Sequence, residues 1–154
     1  MNAPIHFRQA NRSDIRRIVS LLADDPLGEQ REQLDPSLPE SYYAAFFAID
    51  ADPNNELVVA ELDEQMVGVL QLTFVPGLTY QGGWRAQIEG VRVASDVRSR
   101  GIGKALVEWA VDRARRRGCR LVQLTTDKAR PEALRFYEGV GFRATHEGLK
   151  LLLK

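Results

Sequence analysis

The spacing of apolar residues in the first third of the chain predicts one strand and two helices. Residues 5–8 alternate between apolar and polar side chains, as in a half-buried strand. Ser13 suits an N-cap, and the apolar residues that follow recur at helical spacing, so we expect a helix that ends near Asp25 and Pro26. A second amphipathic helix is predicted over residues 42–49.

The middle of the chain has the period of two that is typical of strands. Residues 57–62 and 66–75 predict a hairpin that turns at residues 63–65. Residues 85–94 predict a third strand in this region, whose alternation slips at Gly90, and a β-bulge at that position explains the slip.

The remaining residues predict a crossover and a short C-terminal tail of elements. After Gly101 the apolar residues fall on one helical face as far as Gly118, which caps the helix. A strand over residues 121–125 and a helix from Pro131 to about Gly139 follow, and then two short strands, 142–145 and 149–153. This order predicts an α/β sheet with one parallel, right-handed crossover.

Length and composition place the chain among ordinary globular proteins. Its 154 residues leave room for one domain, which we expect to span residues 1–154. With 44% hydrophobic and 27% charged residues, the chain differs from disordered, collagen-like and membrane proteins. It has neither an apolar run long enough for a membrane helix nor a basic, apolar leader, so we predict a cytoplasmic protein without a membrane partner.

Cysteine, histidine and charge patterns narrow the chemistry. Cys119 is the only cysteine, and there are two histidines, so we expect neither disulfides nor a metal. Residues 24–64 hold twelve acids and one base, whereas residues 91–130 hold eleven bases and four acids. The basic run at residues 115–117 ends a predicted helix, where cations suit the helix dipole, and it therefore requires no nucleic-acid partner.

A glycine-containing basic turn, residues 98–104, lies between a predicted strand and the long helix. Free amides at a helix start bind anions, especially diphosphates, although a tight connection is the simpler explanation. A Walker loop would need Gly and Ser or Thr where the chain has Arg98 and Ala105, so that motif is excluded. A dinucleotide fingerprint fits better, but its third glycine is replaced by Leu106.

Two motifs together resemble the GNAT superfamily of N-acetyltransferases. Val93 followed by Arg98-x-x-Gly101-Ile102-Gly103-x-x-Leu106 is similar to the family's acetyl-coenzyme A motif, and residues 130–142 resemble its later segment, with an alanine, an aromatic-tyrosine pair and glycine-phenylalanine. The element order also resembles that of the family along nearly the whole chain. The resemblance implies a mostly antiparallel mixed sheet with splayed central strands and about four flanking helices.

The resemblance also assigns residues to acetyl-coenzyme A. Backbone groups of the strand segment that ends at Val93 would bond the pantetheine arm, and amides of the glycine turn would hold the pyrophosphate, aided by arginine side chains. Arg130 stands where the family often has asparagine, so its contact with the cosubstrate is open. The implied binding residues are Val91, Arg92, Val93, Arg98, Ser99, Arg100, Gly101, Ile102, Gly103, Lys104, Arg130 and Phe136.

Two residues are assigned to catalysis. Tyr137 corresponds to the family tyrosine that protonates the departing thiolate, and the alternative is an aromatic ring packed beside Phe136. The attacking amine is mostly protonated at neutral pH, so a base is needed. Glu89 is that base, directly or through water, if it shares a strand face with Val91 and Val93; the alternative is an exposed strand carboxylate.

The resemblance thus predicts an acyltransferase that moves an acetyl group from acetyl-coenzyme A to a primary amine of a small molecule. The acids of residues 24–40 and the aromatic residues after them favour a cationic acceptor. The alternatives are a domain that binds coenzyme A without catalysis and a dinucleotide-binding oxidoreductase module. The oligomeric state stays open, with a homodimer as one option because dimers are frequent among similar enzymes.

Overall fold

The computed structural model describes residues 4–153, and the chain divides into two compact units, residues 1–123 and 124–154. The N-terminal unit holds the sheet. Its strands are β1 (His6–Gln9), β2 (Asn55–Leu62), β3 (Gln65–Val75), β4 (Arg85–Val93) and β5 (Leu121–Gln123). Its helices are α1 (Ile15–Leu22), α2 (Pro26–Arg31), α3 (Glu40–Ala51), α4 (Thr79–Gly82) and α5 (Ile102–Arg116), with short 3-10 turns at Arg12–Asp14 and Ser95–Val97.

The sheet is mixed, with the strand order β1-β2-β3-β4-β5. The first four strands are antiparallel neighbours, and β4 and β5 form the one parallel pair in the part of the chain that the structure describes. The hairpin between β2 and β3 turns at Asp63 and Glu64, whose φ angles of 51° and 65° give both turn residues the left-handed backbone conformation that two-residue hairpins favour. Helix α5 makes the predicted parallel crossover.

Apolar residues cover both faces of the sheet. On one face, Val59 and Val69 join a buried cluster with residues of α1 and α3, including Ile18, Val19 and Phe46. The other face belongs to α5: a β-carbon on Gly68 would lie 2.8 Å from Cδ1 of Leu106, so a larger residue where the helix crosses β3 would displace that side chain. Leu70, Leu72, Leu106 and Val107 are also fully buried.

Two buried carboxylates are held by arginines. Asp14 accepts both terminal guanidinium nitrogens of Arg8, at 2.8 and 2.9 Å, and this contact holds the pKa of Asp14 below its ordinary range. Glu56 on β2 accepts Nε and Nη2 of Arg113, at 2.9 and 2.6 Å, which fastens α5 to the sheet. Both pairs tie a helical segment to a strand, so they fix how the helices are placed on the sheet.

The structure confirms the α/β class and corrects several boundaries. Asn11, not Ser13, supplies the side chain that caps the first helical turn, because its Oδ1 accepts the amide of Ser13 at 3.0 Å. The short helix α2 lies in a region predicted to be only a connection; Asp25 caps it, accepting the amide of Gly28 at 2.6 Å. The distorted turn α4 was also not predicted, and its Tyr80 and Gln81 have left-handed backbones.

The C-terminal unit holds helix α6 (Pro131–Gly139), with the predicted start and end. The predicted terminal strands, 142–145 and 149–153, are wrong for this structure, since neither segment is assigned to a strand. A strand needs a neighbouring strand for its backbone hydrogen bonds, and in this structure neither segment has one. Among the helices in residues 4–153, none is long and apolar enough to cross a membrane.

Candidate functional site

Strand β4 loses its neighbour halfway along its length. The parallel pairing with β5 comprises Arg85 with Leu121, Ala86 with Val122 and Gln87 with Gln123, whereas β4 continues to Val93. The amide of Ala94 donates to the carbonyl of Val67 at 2.8 Å, so by alternation the amide and carbonyl of Val93 point away from β3. Within the described part of the N-terminal unit, the strand therefore has an open edge with backbone groups available to an extended ligand.

A glycine turn and the start of α5 follow this open edge. Ser99 and Gly101 have φ angles of 70° and 78°, and the left-handed conformation is unfavourable for serine. A β-carbon on Gly101 would meet no atom within 4 Å. A left-handed residue followed by helix turns successive amides in one direction, which creates a concave site for anions. The turn thus presents backbone amides without a side-chain cap at the start of a 15-residue helix.

Basic side chains surround the glycine turn. Arg98, Arg100 and Lys104 are exposed, and Lys104 lies 3.8 Å from Glu108 one helical turn later. Arg98 also reaches the carbonyl of Asp24 at 3.4 Å, which joins the turn to the connection between α1 and α2. The contact between Arg98 and Asp24 was not predicted, because no local sequence signal links residues 74 positions apart.

The predicted bulge at Gly90 is confirmed and changes the direction of the side chains on β4. Gly90 has a φ of 63°, and the register of β3 with β4 shifts between Val69 and Gln71. Glu89 lies opposite Gln71, on the sheet face of α1, whereas Val93 lies opposite Gly68, on the face of α5. The prediction that Glu89 and Val93 share a face is therefore wrong, because the extra residue in the bulge reverses the alternation.

Glu89 is exposed on the face of α1, and a row of neutral polar side chains crosses that face two residues earlier on β4. Gln123 Nε2 donates to Gln87 Oε1 at 2.7 Å at the last pair before β4 and β5 separate, and Thr73 Oγ1 donates to Asn55 Oδ1 at 2.6 Å. These residues form one row across four strands, which the register places in the order Asn55, Thr73, Gln87, Gln123. Sequence reasoning missed this row, since it depends on the register.

Arg92 lies two positions after Gly90, on the face of α1, opposite Val69. Its Nη1 donates to the carbonyl of Val91 at 2.8 Å, so the side chain turns back along its own strand. Leu22, the last residue of α1, packs on the other side of the bulge, with its Cδ2 3.8 Å from a β-carbon built on Gly90. The end of α1 thus adjoins the part of β4 that carries Glu89.

Arg130, Phe136 and Tyr137 belong to the C-terminal unit. Arg130 precedes α6 and follows a turn in which its amide donates to the carbonyl of Asp127 at 2.9 Å. The half-buried ring of Tyr137 packs edge to face against Phe136 and Phe142, with centroid distances of 5.0 and 5.8 Å. The two neighbouring rings hold the phenol in one orientation. The roles of these three residues toward acetyl-coenzyme A stay predictions.

Several acids of residues 24–40 already contact other groups of the protein. Asp25 caps α2, Glu32 accepts the hydroxyl of Tyr42 at 3.0 Å, and Asp35 accepts Gln33. The aromatic residues of α3 are also engaged, since the Arg12 guanidinium lies 4.8 Å from the centre of the Tyr43 ring. These contacts occupy three of the six acids in residues 24–40, and the cationic acceptor stays a prediction.

The sole cysteine lies between α5 and β5. Cys119 is half-buried, and burial raises the pKa of its thiol. A thiol with a raised pKa is a poor nucleophile at neutral pH, which agrees with a structural role.

Two concave pockets lie at Glu56, between β1, β2 and the helices, and neither is lined by the glycine turn. Their three arginines are engaged by carboxylates: Arg8 with Asp14 and Glu61, Arg113 with Glu56, and Arg116 with Asp112. These pockets therefore have no unopposed cationic lining for the phosphates of a nucleotide.

The open edge and the glycine turn fit the parts of an acetyl-coenzyme A molecule. An extended arm with amide groups can bond the edge of β4 as an added strand does, and its pyrophosphate suits the amides and cations at the start of α5. Together the fold and this site have the geometry that suits an extended ligand with an anionic head.

Comparisons with known proteins assign that class to a family. Residues 17–142 match the profile described as the Acetyltransferase (GNAT) family. The aminoalkylphosphonate N-acetyltransferase of Salmonella typhimurium (strain LT2) is 30% identical over 107 residues, which cover 70% of this chain and 69% of that protein.

Solved structures agree in fold. A transcriptional regulator from Bacillus halodurans C-125 is 56% identical, with a TM-score of 0.94 and coverage of 97% of this chain and 100% of that one. An acetyltransferase from Trypanosoma brucei is 26% identical, with a TM-score of 0.78 and coverage of 97% and 100%. The chain belongs to the GNAT acetyltransferase family, and the predicted enzyme class, an acyltransferase, is confirmed. The dinucleotide-binding alternative is excluded.

Proposed function

We propose that the protein transfers an acetyl group from acetyl-coenzyme A to a primary amine of a small molecule, by direct attack within a ternary complex. The observation that carries this proposal is the open edge of β4, which leads from the pair of Gln87 and Gln123 to the glycine turn at Gly101. An arm bound along this edge would end near that pair, so the thioester would lie beside Glu89.

The proposed reaction has three proton and bond changes. The neutral amine attacks the thioester carbonyl, and amides of the bulged strand polarise the carbonyl oxygen. Glu89 takes the amine proton, directly or through water, while the carbon–sulfur bond breaks. Tyr137 gives a proton to the departing thiolate, which leaves as coenzyme A. The exposure of Glu89 on the face of α1 supports approach of the acceptor from that face.

A variant of Glu89 tests the base. Glu89→Gln should lower kcat by about 10²- to 10⁴-fold and flatten the acidic limb of the pH profile, because the carboxylate is lost while its size is kept. Glu64→Gln, at the exposed hairpin turn, is the matched control and should retain the wild-type profile. Equal profiles for all three proteins would assign proton removal to another group.

The class of acceptor has two candidates. A cationic amine is supported by the acids of residues 24–40, a segment whose first backbone carbonyl, that of Asp24, accepts Arg98 of the glycine turn. An aminoalkylphosphonate is supported by the 30% identical relative, which is named for that acceptor. Spermidine, kanamycin and 2-aminoethylphosphonate should therefore be compared as acceptors, with thiol release as the readout.

Salt dependence distinguishes the two acceptor classes. For a cationic acceptor the Michaelis constant should rise between low and physiological ionic strength, since attraction by carboxylates is screened. Asp24→Asn should then raise that constant while leaving the one for acetyl-coenzyme A unchanged. A preference for 2-aminoethylphosphonate would discard the cationic acceptor and leave acetyl transfer intact.

A second candidate function is a coenzyme A sensor without catalysis. It is supported by the 56% identical protein of Bacillus halodurans, which is described as a transcriptional regulator. Binding of coenzyme A with no thiol release across a broad panel of amines and peptides would favour the sensor. Turnover that is lost in Glu89→Gln would favour the enzyme.

A further inference from the structure

The row of neutral polar side chains from Asn55 to Gln123 departs from the usual composition of a sheet face. Strands favour β-branched and aromatic side chains, and asparagine is depleted in them. On the same face, Val59 and Val69 follow that preference and pack in the cluster with α1 and α3. Three of the four side chains in the row are half-buried, so the row puts hydrogen-bonding groups where apolar contacts are the norm.

The part of the row on β2 and β3 is satisfied by its own hydrogen bonds. Asn55 Oδ1 accepts Thr73 Oγ1 at 2.6 Å, and Asn55 Nδ2 donates to Asp52 Oδ2 at 2.9 Å. The aspartate is fixed in turn, since its Oδ1 accepts the amide of Asn54 at 2.8 Å. This part of the row stabilises the end of β2 and requires no ligand.

The part of the row on β4 and β5 keeps hydrogen-bonding capacity. Gln87 Oε1 accepts Gln123 Nε2 at 2.7 Å, and this bond fixes which end of each carboxamide is turned outward. The amide nitrogen of Gln87 can still donate, and the carbonyl oxygen of Gln123 can still accept. Among the described residues, neither of these two atoms forms a hydrogen bond. The pair therefore offers one donor group beside one acceptor.

This pair lies beside the proposed base. Gln87 and Glu89 are two residues apart on one face of β4, which separates their Cα atoms by about 7 Å. Gln71, directly opposite Glu89, is neutral as well. Arg85, at the start of the strand, is directed toward the β3–β4 connection, with its Nη1 3.5 Å from a β-carbon built on Gly77. An acceptor with its amine at Glu89 would thus extend over the carboxamide of Gln87.

We propose that the acceptor carries a hydroxyl group roughly 4–7 Å from its amine nitrogen, and that Gln87 and Gln123 bind this hydroxyl. A hydroxyl can accept a hydrogen bond from Gln87 Nε2 and donate one to Gln123 Oε1, whereas a methyl group can do neither. A phosphonate only accepts, so it would leave Gln123 Oε1 without a partner. The proposal rests on the proposed acetyl transfer, because it concerns the acceptor of that reaction.

Matched acceptors test the contact. The amino alcohols 3-amino-1-propanol and 4-amino-1-butanol are compared with butylamine and pentylamine, which carry a methyl group of similar size in place of the hydroxyl. For the wild type we expect kcat/KM to be about 3- to 10-fold higher for the amino alcohol of each pair, which corresponds to one hydrogen bond.

A variant of Gln87 separates the hydroxyl contact from other differences between the paired amines. Gln87→Met keeps the length of the side chain and removes the carboxamide, so the ratio of the two kcat/KM values should fall about 3- to 10-fold. Gln65→Met, at the exposed hairpin end of β3, is the matched control and should keep the wild-type ratio. An unchanged ratio in Gln87→Met, or a wild type that does not favour the amino alcohols, overturns the proposal.

A binding measurement distinguishes failure of this contact from failure of acetyl transfer. Calorimetric titration of the protein loaded with coenzyme A uses the same amines and requires no turnover. If no amine is acetylated, tighter binding of the amino alcohols that is lost in Gln87→Met still supports the contact, whereas equal dissociation constants overturn it. Acetylation of both members of each pair at equal kcat/KM overturns the hydroxyl contact and leaves acetyl transfer intact.

Discussion

Replacing Gly101 tests whether the glycine turn binds a ligand or only connects β4 to α5. The structure supplies a matched control, because Gly101 and Gly118 lie at the two ends of α5, have the same φ of 78° and would both carry a β-carbon in open space. Alanine in the left-handed conformation costs about 1–2 kcal/mol at either position. Gly101→Ala and Gly118→Ala should therefore lower the stability of the free protein by similar amounts.

Only Gly101→Ala should weaken the binding of coenzyme A. At 100 times its dissociation constant, a ligand stabilises the folded state by about 2.7 kcal/mol. For a chain of this size that corresponds to a rise in melting temperature of roughly 5–11 °C. If the new methyl group weakens binding 100-fold, the same concentration adds only about 0.4 kcal/mol, or roughly 1–2 °C. Gly118→Ala should retain the full rise.

A third variant distinguishes backbone strain from lost ligand space. Gly101→Asn tolerates the left-handed conformation but still places a side chain in that space, so its free form should be near wild type while its response to coenzyme A is reduced. The assay is thermal unfolding with and without coenzyme A at fixed concentration. A full rise in Gly101→Ala, or an equal loss in Gly118→Ala, would refute the assignment of the glycine turn.

Three further predictions concern Tyr137 and the two buried carboxylates. Tyr137→Phe should keep the binding of acetyl-coenzyme A and lower kcat by about 10²- to 10⁴-fold, measured where chemistry limits turnover; an unchanged kcat would leave the ring a packing role. Because Arg8 lowers the pKa of Asp14, the carboxylate stabilises the fold above its ordinary pKa, and this contribution is lost as the pH falls through the lowered value. The stability gap between wild type and Asp14→Asn, about 1–3 kcal/mol near neutrality, should thus close in acid, as urea unfolding at several pH values would show. Glu56→Gln should cost about 1–3 kcal/mol by the same assay, since it weakens a charged contact with Arg113 that is partly exposed, whereas Glu108→Gln, in an exposed pair with Lys104, should cost almost nothing.

The elements that could be predicted from the sequence are those set by local pattern. The hairpin of β2 and β3, the bulge at Gly90 and helix α5 each depend on residues close together in the chain, and all three are confirmed. The cap of the first helical turn was misplaced by two residues, because Asn11 and Ser13 are both good caps and only the geometry selects between them.

The parts that could not be predicted depend on long-range register. The side-chain direction of Glu89 follows from how many residues the bulge inserts, and the row from Asn55 to Gln123 follows from the alignment of four strands. The terminal strand over residues 149–153 has the right composition, yet composition does not supply the neighbouring strand that it needs.

The open edge of β4 also sets the rates at which individual backbone protons exchange with deuterium. Ala94 and Val93 are neighbours in sequence, but the amide of Ala94 is bonded to Val67 on β3, whereas the amide of Val93 points away from β3. One strand should therefore show slow and fast exchange at adjacent positions in the free protein. Added coenzyme A should slow exchange at Val93 and leave exchange at Ala94 unchanged. Deuterium uptake at Val93 therefore reports whether the pantetheine arm is bound along β4, and this measurement requires no knowledge of the acceptor.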